Sequence, residues 1–152
     1  MATEPQWDPD LAPEETGETS ETVSHISTYA GRLGDVTGAR LAAETYLRAL
    51  ALVSPPSAAE RWDDVLLVVT ELAANAVQYA PGPFRLELRR TFDGDGVHVL
   101  LHDTSTTLPA PRSFRPSGGG GGVGWHLIRA LSDEVGAVAG PDGKDVHVFL
   151  PW

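Results

Sequence analysis

Residues 64–77 of this 152-residue chain read DVLLVVTELAANAV, the centre of a pattern that predicts a long amphipathic helix. Across residues 58–80 apolar side chains recur at helical spacing, namely Trp62, Val65, Leu66, Val69, Leu72, Ala73 and Ala76. Ser57, with Glu60 three residues later, is typical of a capping box at the start of this helix. Pro81-Gly82-Pro83 ends it, because proline cannot continue a helix.

The segments after this helix have strand patterns. Residues 84–89 alternate apolar and polar, which predicts a strand that turns at residues 93–96 into a second strand over 97–101. After a loop over residues 104–122, a short helix is predicted at residues 123–134. A final hairpin follows, with strands at 135–139 and 146–150.

The segments before the long helix add one strand and one helix. Residues 23–29 (VSHISTY) alternate like a half-buried edge strand, and Asp35 stands in the N-cap position of a helix over residues 36–52. The helices thus come in blocks between antiparallel hairpins. This order indicates a two-layer α+β sandwich with helices on one face of the sheet, not a doubly wound parallel sheet.

Charge and composition exclude several classes of protein. The net charge of −10 argues against a protein that grips nucleic acid phosphate or an anionic membrane. Residues 1–22 hold seven acidic residues, three prolines and no basic residue, so we expect a disordered tail and a folded domain over residues 23–152. The absence of cysteine excludes a disulfide scaffold, and the absence of a signal-peptide pattern or long apolar stretch favours a cytoplasmic protein.

Three polar residues share one face of the long helix. Glu71, Asn75 and Gln78 lie at positions i, i+4 and i+7. Such a stripe is often only a solvated face. The functional alternative is a cleft in which the Glu takes a proton and the Asn oxygen ligates Mg²⁺.

Two later features are candidates for a ligand site. Asp103 ends the apolar strand formed by residues 97–102, where an acid is either a turn former or the acceptor for an exocyclic amine. The glycine run at 118–122, followed by Val123 and Gly124, is either a linker or a backbone cradle for phosphates at a helix start. The five histidines lack the spacing of a zinc site.

Taken in this order, the segments resemble the motifs of the GHKL ATPase superfamily, and within it the small anti-sigma-factor serine kinases of the RsbW type. Residues 64–77 look like the N box, residues 99–103 (VLLHD) look like the G1 box, and residues 122–128 (GVGWHLI) are similar to the G2 box. Residues 143–151 look like the closing strand, so the likeness covers about residues 23–152.

The resemblance implies the Bergerat ATP-binding fold, with a mixed, mostly antiparallel sheet, and it implies ATP and Mg²⁺ as cofactors. Asn75 would ligate Mg²⁺, Glu71 would be the base, and Asp103 would read the adenine amine. Gln78 would lie beside the phosphates. The lid and phosphate cradle would be formed by Gly118, Gly119, Gly120, Gly121, Gly122, Val123 and Gly124.

The chain departs from the family pattern at two places. Residues 104–107 (TSTT) stand where the G1 box has glycines, and Gln78 replaces a common basic residue. The resemblance implies a protein serine/threonine kinase that binds a sigma factor or similar partner and phosphorylates an antagonist protein. The departures favour the alternative, a non-catalytic module that binds ATP or a partner. Relatives often form dimers, so a homodimer is a candidate assembly.

Overall fold

The computed structural model describes residues 24–107 and 123–152. These residues form five strands and three helices in the predicted order. Their bounds are β1 (Ser24–Tyr29), α1 (Asp35–Val53), α2 (Ala59–Tyr79), β2 (Phe84–Arg90), β3 (Gly96–Asp103), α3 (Val123–Leu131), β4 (Glu134–Gly140) and β5 (Gly143–Pro151). The predicted tail at 1–22 and the glycine run at 118–122 lie outside the described residues.

The strands form a single sheet in the order β1-β2-β3-β5-β4. Every described neighbouring pair is antiparallel. The α+β class and the mostly antiparallel sheet are therefore confirmed, and in this part of the chain the sheet is antiparallel throughout. The physical reason is that two hairpins, β2–β3 and β4–β5, lie side by side and β1 pairs antiparallel with the edge of the first.

The core lies between one face of the sheet and the three helices. Alternate residues of the central strands are buried there, namely Leu86, Leu88, Val97, Val99, Leu101, Val146, Val148 and Leu150. They pack in one cluster with the buried apolar side chains of α1, α2 and α3. Since a strand directs alternate side chains to opposite faces, this alternation places the helices on one side, as predicted.

The predicted helix starts need correction. In α2 the N-cap is Ala58, in extended backbone conformation, and no side chain caps the helix. The predicted capping box is therefore wrong, because Ser57 lies one residue too early. Asp35 is the first residue of α1 instead of its N-cap. Its Oδ2 accepts hydrogen bonds from the backbone N–H groups of Gly31 and Arg32, at 3.0 and 2.8 Å, and so closes the preceding turn.

Candidate functional site

The polar face of α2 contains two partly buried groups without partners in the described part of the chain. Glu71 and Asn75 are half-buried, one helical turn apart, whereas Gln78 near the end of the helix is exposed. Among residues 24–107 and 123–152, neither Glu71 nor Asn75 makes a side-chain hydrogen bond or ion pair. A carboxylate and an amide that are partly withdrawn from water in this way are available to a ligand.

The start of α3 lies against Glu71. A Cβ atom at Gly124 would overlap Oε2 of the Glu71 carboxylate, so the two residues are in close approach. Glycine at this position leaves room for the carboxylate, which lies beside the positively polarised N-terminus of α3. The segments that resemble the N box and the G2 box therefore meet in space.

Asp103 ends β3 on the helix-facing side of the sheet. It shares this side with Val97, Val99 and Leu101 and is 3% exposed. Both carboxylate oxygens accept hydrogen bonds from Nζ of Lys144, at 2.9 and 2.8 Å. Oδ1 also accepts the backbone N–H of Ser105 at 2.9 Å. The Asp103 carboxylate is therefore held in place by two donors, the Lys144 ammonium and the Ser105 backbone N–H.

Lys144 is the functional candidate that the sequence motifs missed. It is paired with Asp103 in the β3–β5 register and is 8% exposed. Two sequence signals were present: it is the only lysine of the chain, and it continues the inward alternation of Val146, Val148 and Leu150. A charged residue in an apolar alternation is almost never buried without a partner. The partner itself depends on the register of strands that are far apart in the sequence.

Local contacts bring the end of α2 to the Asp103 end of the sheet. The hydroxyl of Thr104 donates to the carbonyl of Pro81, which follows α2, at 3.2 Å. Gly143, with φ of +140°, packs its Cα against the carbonyl of Asp103, where a Cβ would collide. The only tolerable residue here is glycine, because an L side chain would be strained at this φ as well.

The remaining predicted site residues are only partly described. Gly118 to Gly122 and the side chain of Val123 fall outside the described residues, so their role in a phosphate cradle stays a prediction. Residues 104–107 stand where the family has glycines, and they form two local hydrogen bonds: the Ser105 N–H donates to Asp103, and the Thr107 N–H donates to the Ser105 hydroxyl.

The donor set fits Mg²⁺ held jointly with phosphate oxygens. In residues 24–107 and 123–152 no three His, Asp or Glu side chains cluster to hold a metal alone. The half-buried, unpartnered Asn75 amide supplies one oxygen of the type that Mg²⁺ takes. Substrate phosphates and waters commonly complete such a coordination shell, so the residues present are compatible with a magnesium–nucleotide complex.

A groove of about 540 Å³ lies elsewhere, at the opposite end of the sheet. Its lining includes Arg90, Phe92, Asp133 and Glu134 and none of the predicted site residues.

The helices of the described segments include none that is long and apolar enough to span a membrane.

A solved structure that matches this chain with a TM-score above 0.5 shares its fold. The structure of the RsbU and RsbW domains of Rv1364c from Mycobacterium tuberculosis matches with a TM-score of 0.59 and 16% identity, over 84% of this chain and 32% of that one. The chain thus spans about a third of that protein's length. A blue-light activated histidine kinase from Erythrobacter litoralis matches with a TM-score of 0.49 and 18% identity, over 74% of this chain and 41% of that one.

Sequence comparisons give one family. No curated protein sequence matches the chain at a significant level. Residues 29–149 match the histidine kinase-like ATPase domain, and this range contains Glu71, Asn75, Asp103 and Lys144. The GHKL resemblance is confirmed, and the chain belongs to the family of histidine kinase-like ATPase domains.

Proposed function

We propose that this ATPase-fold domain is a regulatory protein kinase that binds Mg²⁺-ATP and phosphorylates a serine or threonine of a partner protein. The observation that carries the proposal is the approach of the Glu71 carboxylate to Gly124, beside the unpartnered Asn75. This contact brings the polar face of α2 against the start of α3, the helix that follows the glycine run. The buried carboxylate of Asp103 lies at the same end of the sheet.

Each residue has a distinct role in this proposal. Asp103 would accept the adenine amine through Oδ2, and Asn75 would hold Mg²⁺ through its amide oxygen. Mg²⁺, when bound, neutralises charge on the phosphate oxygens. The backbone N–H groups of residues 118–124 would donate to the phosphates at the start of α3.

Glu71 would act on the incoming hydroxyl. The partner's hydroxyl oxygen forms a bond to the γ-phosphorus as the bond to the β–γ bridging oxygen breaks and ADP leaves. The hydroxyl proton passes to the Glu71 carboxylate, which lies beside Gly124 at the start of α3. A carboxylate that already had a protein partner would be a poorer acceptor for that proton.

The partner is proposed to be a component of sigma-factor regulation. The support is the motif resemblance to RsbW-type anti-sigma kinases, together with the fold match to a chain that contains RsbU and RsbW domains. The net charge of −10 also favours a protein partner over direct contact with nucleic acid. The domain would bind a sigma factor or similar protein and phosphorylate an antagonist of that binding.

A second candidate is a binding module without phosphoryl transfer. The observation that favours it is that both Asp103 oxygens are already bonded to Lys144, next to residues 104–107, which replace the family glycines. Such a module would form the same protein complexes. It would transfer no phosphate.

The two candidates are separated by incubating the chain with γ-labelled ATP, Mg²⁺ and candidate antagonist proteins from its own genome. The kinase proposal predicts label on the antagonist, with a loss of about 10²- to 10⁴-fold in the Glu71→Gln variant. Glu60→Gln, an exposed change on the same helix, is the matched control and should transfer at the wild-type rate. Stable complexes without label would select the binding module.

A further inference from the structure

The ammonium of Lys144 has more donors than its described partner uses. It gives two N–H groups to the Asp103 carboxylate, and an ammonium has three. In residues 24–107 and 123–152 no further acceptor contacts it. Since its side chain is 10% exposed, the third donor has little access to solvent. A buried donor left unpaired is unfavourable, so this N–H favours a ligand or an ordered water.

Asp103 also retains an unused acceptor. Its Oδ1 takes both the Lys144 ammonium and the Ser105 N–H, whereas Oδ2 takes only the ammonium. A carboxylate oxygen has two lone pairs, so Oδ2 can accept one further hydrogen bond. Asp103 and Lys144 therefore present one free acceptor and one free donor side by side, on the helix-facing side of the sheet.

This pair of groups is complementary to one edge of adenine. The exocyclic amine is a donor and the neighbouring ring nitrogen N1 is an acceptor. Both nitrogen atoms are bonded to the same ring carbon, so they lie side by side. An amine that donates to Oδ2 through the hydrogen on its N1 side would bring N1 next to the ammonium, because both Asp103 oxygens lie within 2.9 Å of Nζ.

We infer that Lys144 is a specificity-determining residue that donates to N1 of adenine while Asp103 accepts the amine. The inference rests on the proposed ATP site and adds to it a second group that recognises adenine. The ion pair then serves the site in two ways: it orients the carboxylate, and it supplies the donor that the carboxylate lacks. A hydrogen bond to a charged group is stronger than a neutral one, so the N1 contact should be measurable.

The test uses calorimetric titration of the full chain with the Mg²⁺ complexes of ATP, 1-deaza-ATP and 7-deaza-ATP. In 1-deaza-ATP a C–H replaces N1, so the wild type should bind it about 10- to 100-fold more weakly than ATP. The 7-deaza compound should bind within a few-fold of ATP. Equal binding of ATP and 1-deaza-ATP would overturn the Lys144 inference and leave the proposed ATP site in place.

Variants locate the effect. Lys144→Met should bind ATP and 1-deaza-ATP equally, whereas the wild type discriminates between them. The matched control is His102→Gln, which removes the imidazole that contacts Asp145 at 2.6 Å between the same two strands, on the opposite face of the sheet. It should keep the wild-type ratio. If Lys144→Met fails to fold, equal binding of ATP and 1-deaza-ATP by the wild type would still overturn the inference. Absence of binding by every nucleotide would overturn the proposed function together with this inference.

Discussion

The carboxylate of Glu71 fills the space in which a side chain at Gly124 would lie. This close approach adds to the apolar packing that holds the start of α3 against α2. It also explains why position 124 is glycine although glycine is a poor helix former: any Cβ would have to displace the carboxylate. The contact therefore joins a packing requirement to the proposed chemistry.

Gly124→Ala should separate stability from activity. The obstructed atom is the end of a flexible side chain, so the carboxylate can move aside and the fold should persist, with a change in unfolding free energy within about 1 kcal/mol. Phosphoryl transfer should fall at least about 10-fold because Glu71 is displaced. Gly34→Ala, where nothing lies within 4 Å of the added Cβ, is the control. Equal transfer rates in the two variants would show that the position of Glu71 is unimportant.

Asn75→Ala should affect only the magnesium-dependent part of nucleotide binding. Its amide oxygen is proposed to ligate Mg²⁺, so the variant should bind Mg²⁺-ATP more weakly and bind ATP in the presence of a chelator as the wild type does. Calorimetry with and without Mg²⁺ measures both affinities. A parallel loss in the two titrations would assign Asn75 to the nucleotide itself, not to the metal.

The Asp103–Lys144 pair should be costly to break from either side. Lys144→Met leaves a buried carboxylate unpaired, and we expect a loss of about 3–5 kcal/mol in unfolding free energy by urea titration. The exposed pair of Arg48 and Glu44, 2.8 Å apart on α1, is the comparison. Arg48→Met should cost only about 0.3–0.5 kcal/mol. If the two losses are similar, the buried pair is hydrated in solution.

These residues also show how far the sequence leads. Glu71 and Asn75 could be placed on one helix face because helical spacing is local, and Asp103 at a strand end because it follows an alternating strand. The pairing of Lys144 with Asp103 could not be predicted, because it is set by the register of β3 against β5, a non-local property. The capping box at Ser57 was wrong for a local reason. The helix begins one residue later than predicted, and a cap requires the exact N-cap position.

Acidification should destabilise the fold in part through His98. Burial, followed by the nearby His147 and Arg89, holds the pKa of His98 below its usual value, while Glu87 opposes this shift. The unfolded chain then binds the proton more readily than the folded one. The stabilisation is complete above the ordinary histidine pKa of about 6.5 and is lost as the pH falls from there through the lowered folded value.

His98→Phe removes this titration, so its melting temperature should fall less between pH 7 and pH 5 than that of the wild type. Thermal melts over this range measure the difference. The same substitution at exposed His126 should retain the wild-type slope. If the melting temperature of His98→Phe changes with pH as that of the wild type does, groups other than His98 cause the loss of stability in acid.

The central claim is that residues of α2, β3, α3 and β5 form one nucleotide site. It is tested most directly by the amide chemical shifts of the ¹⁵N-labelled wild type during titration with a non-hydrolysable Mg²⁺-ATP analogue. This measurement needs no variant and reports every region at once. We predict saturable shifts at Glu71, Asn75, Asp103, Gly124 and Lys144, with none in the groove at Arg90 and Phe92. Shifts confined to that groove, or no shifts at saturating nucleotide, would contradict the proposed site.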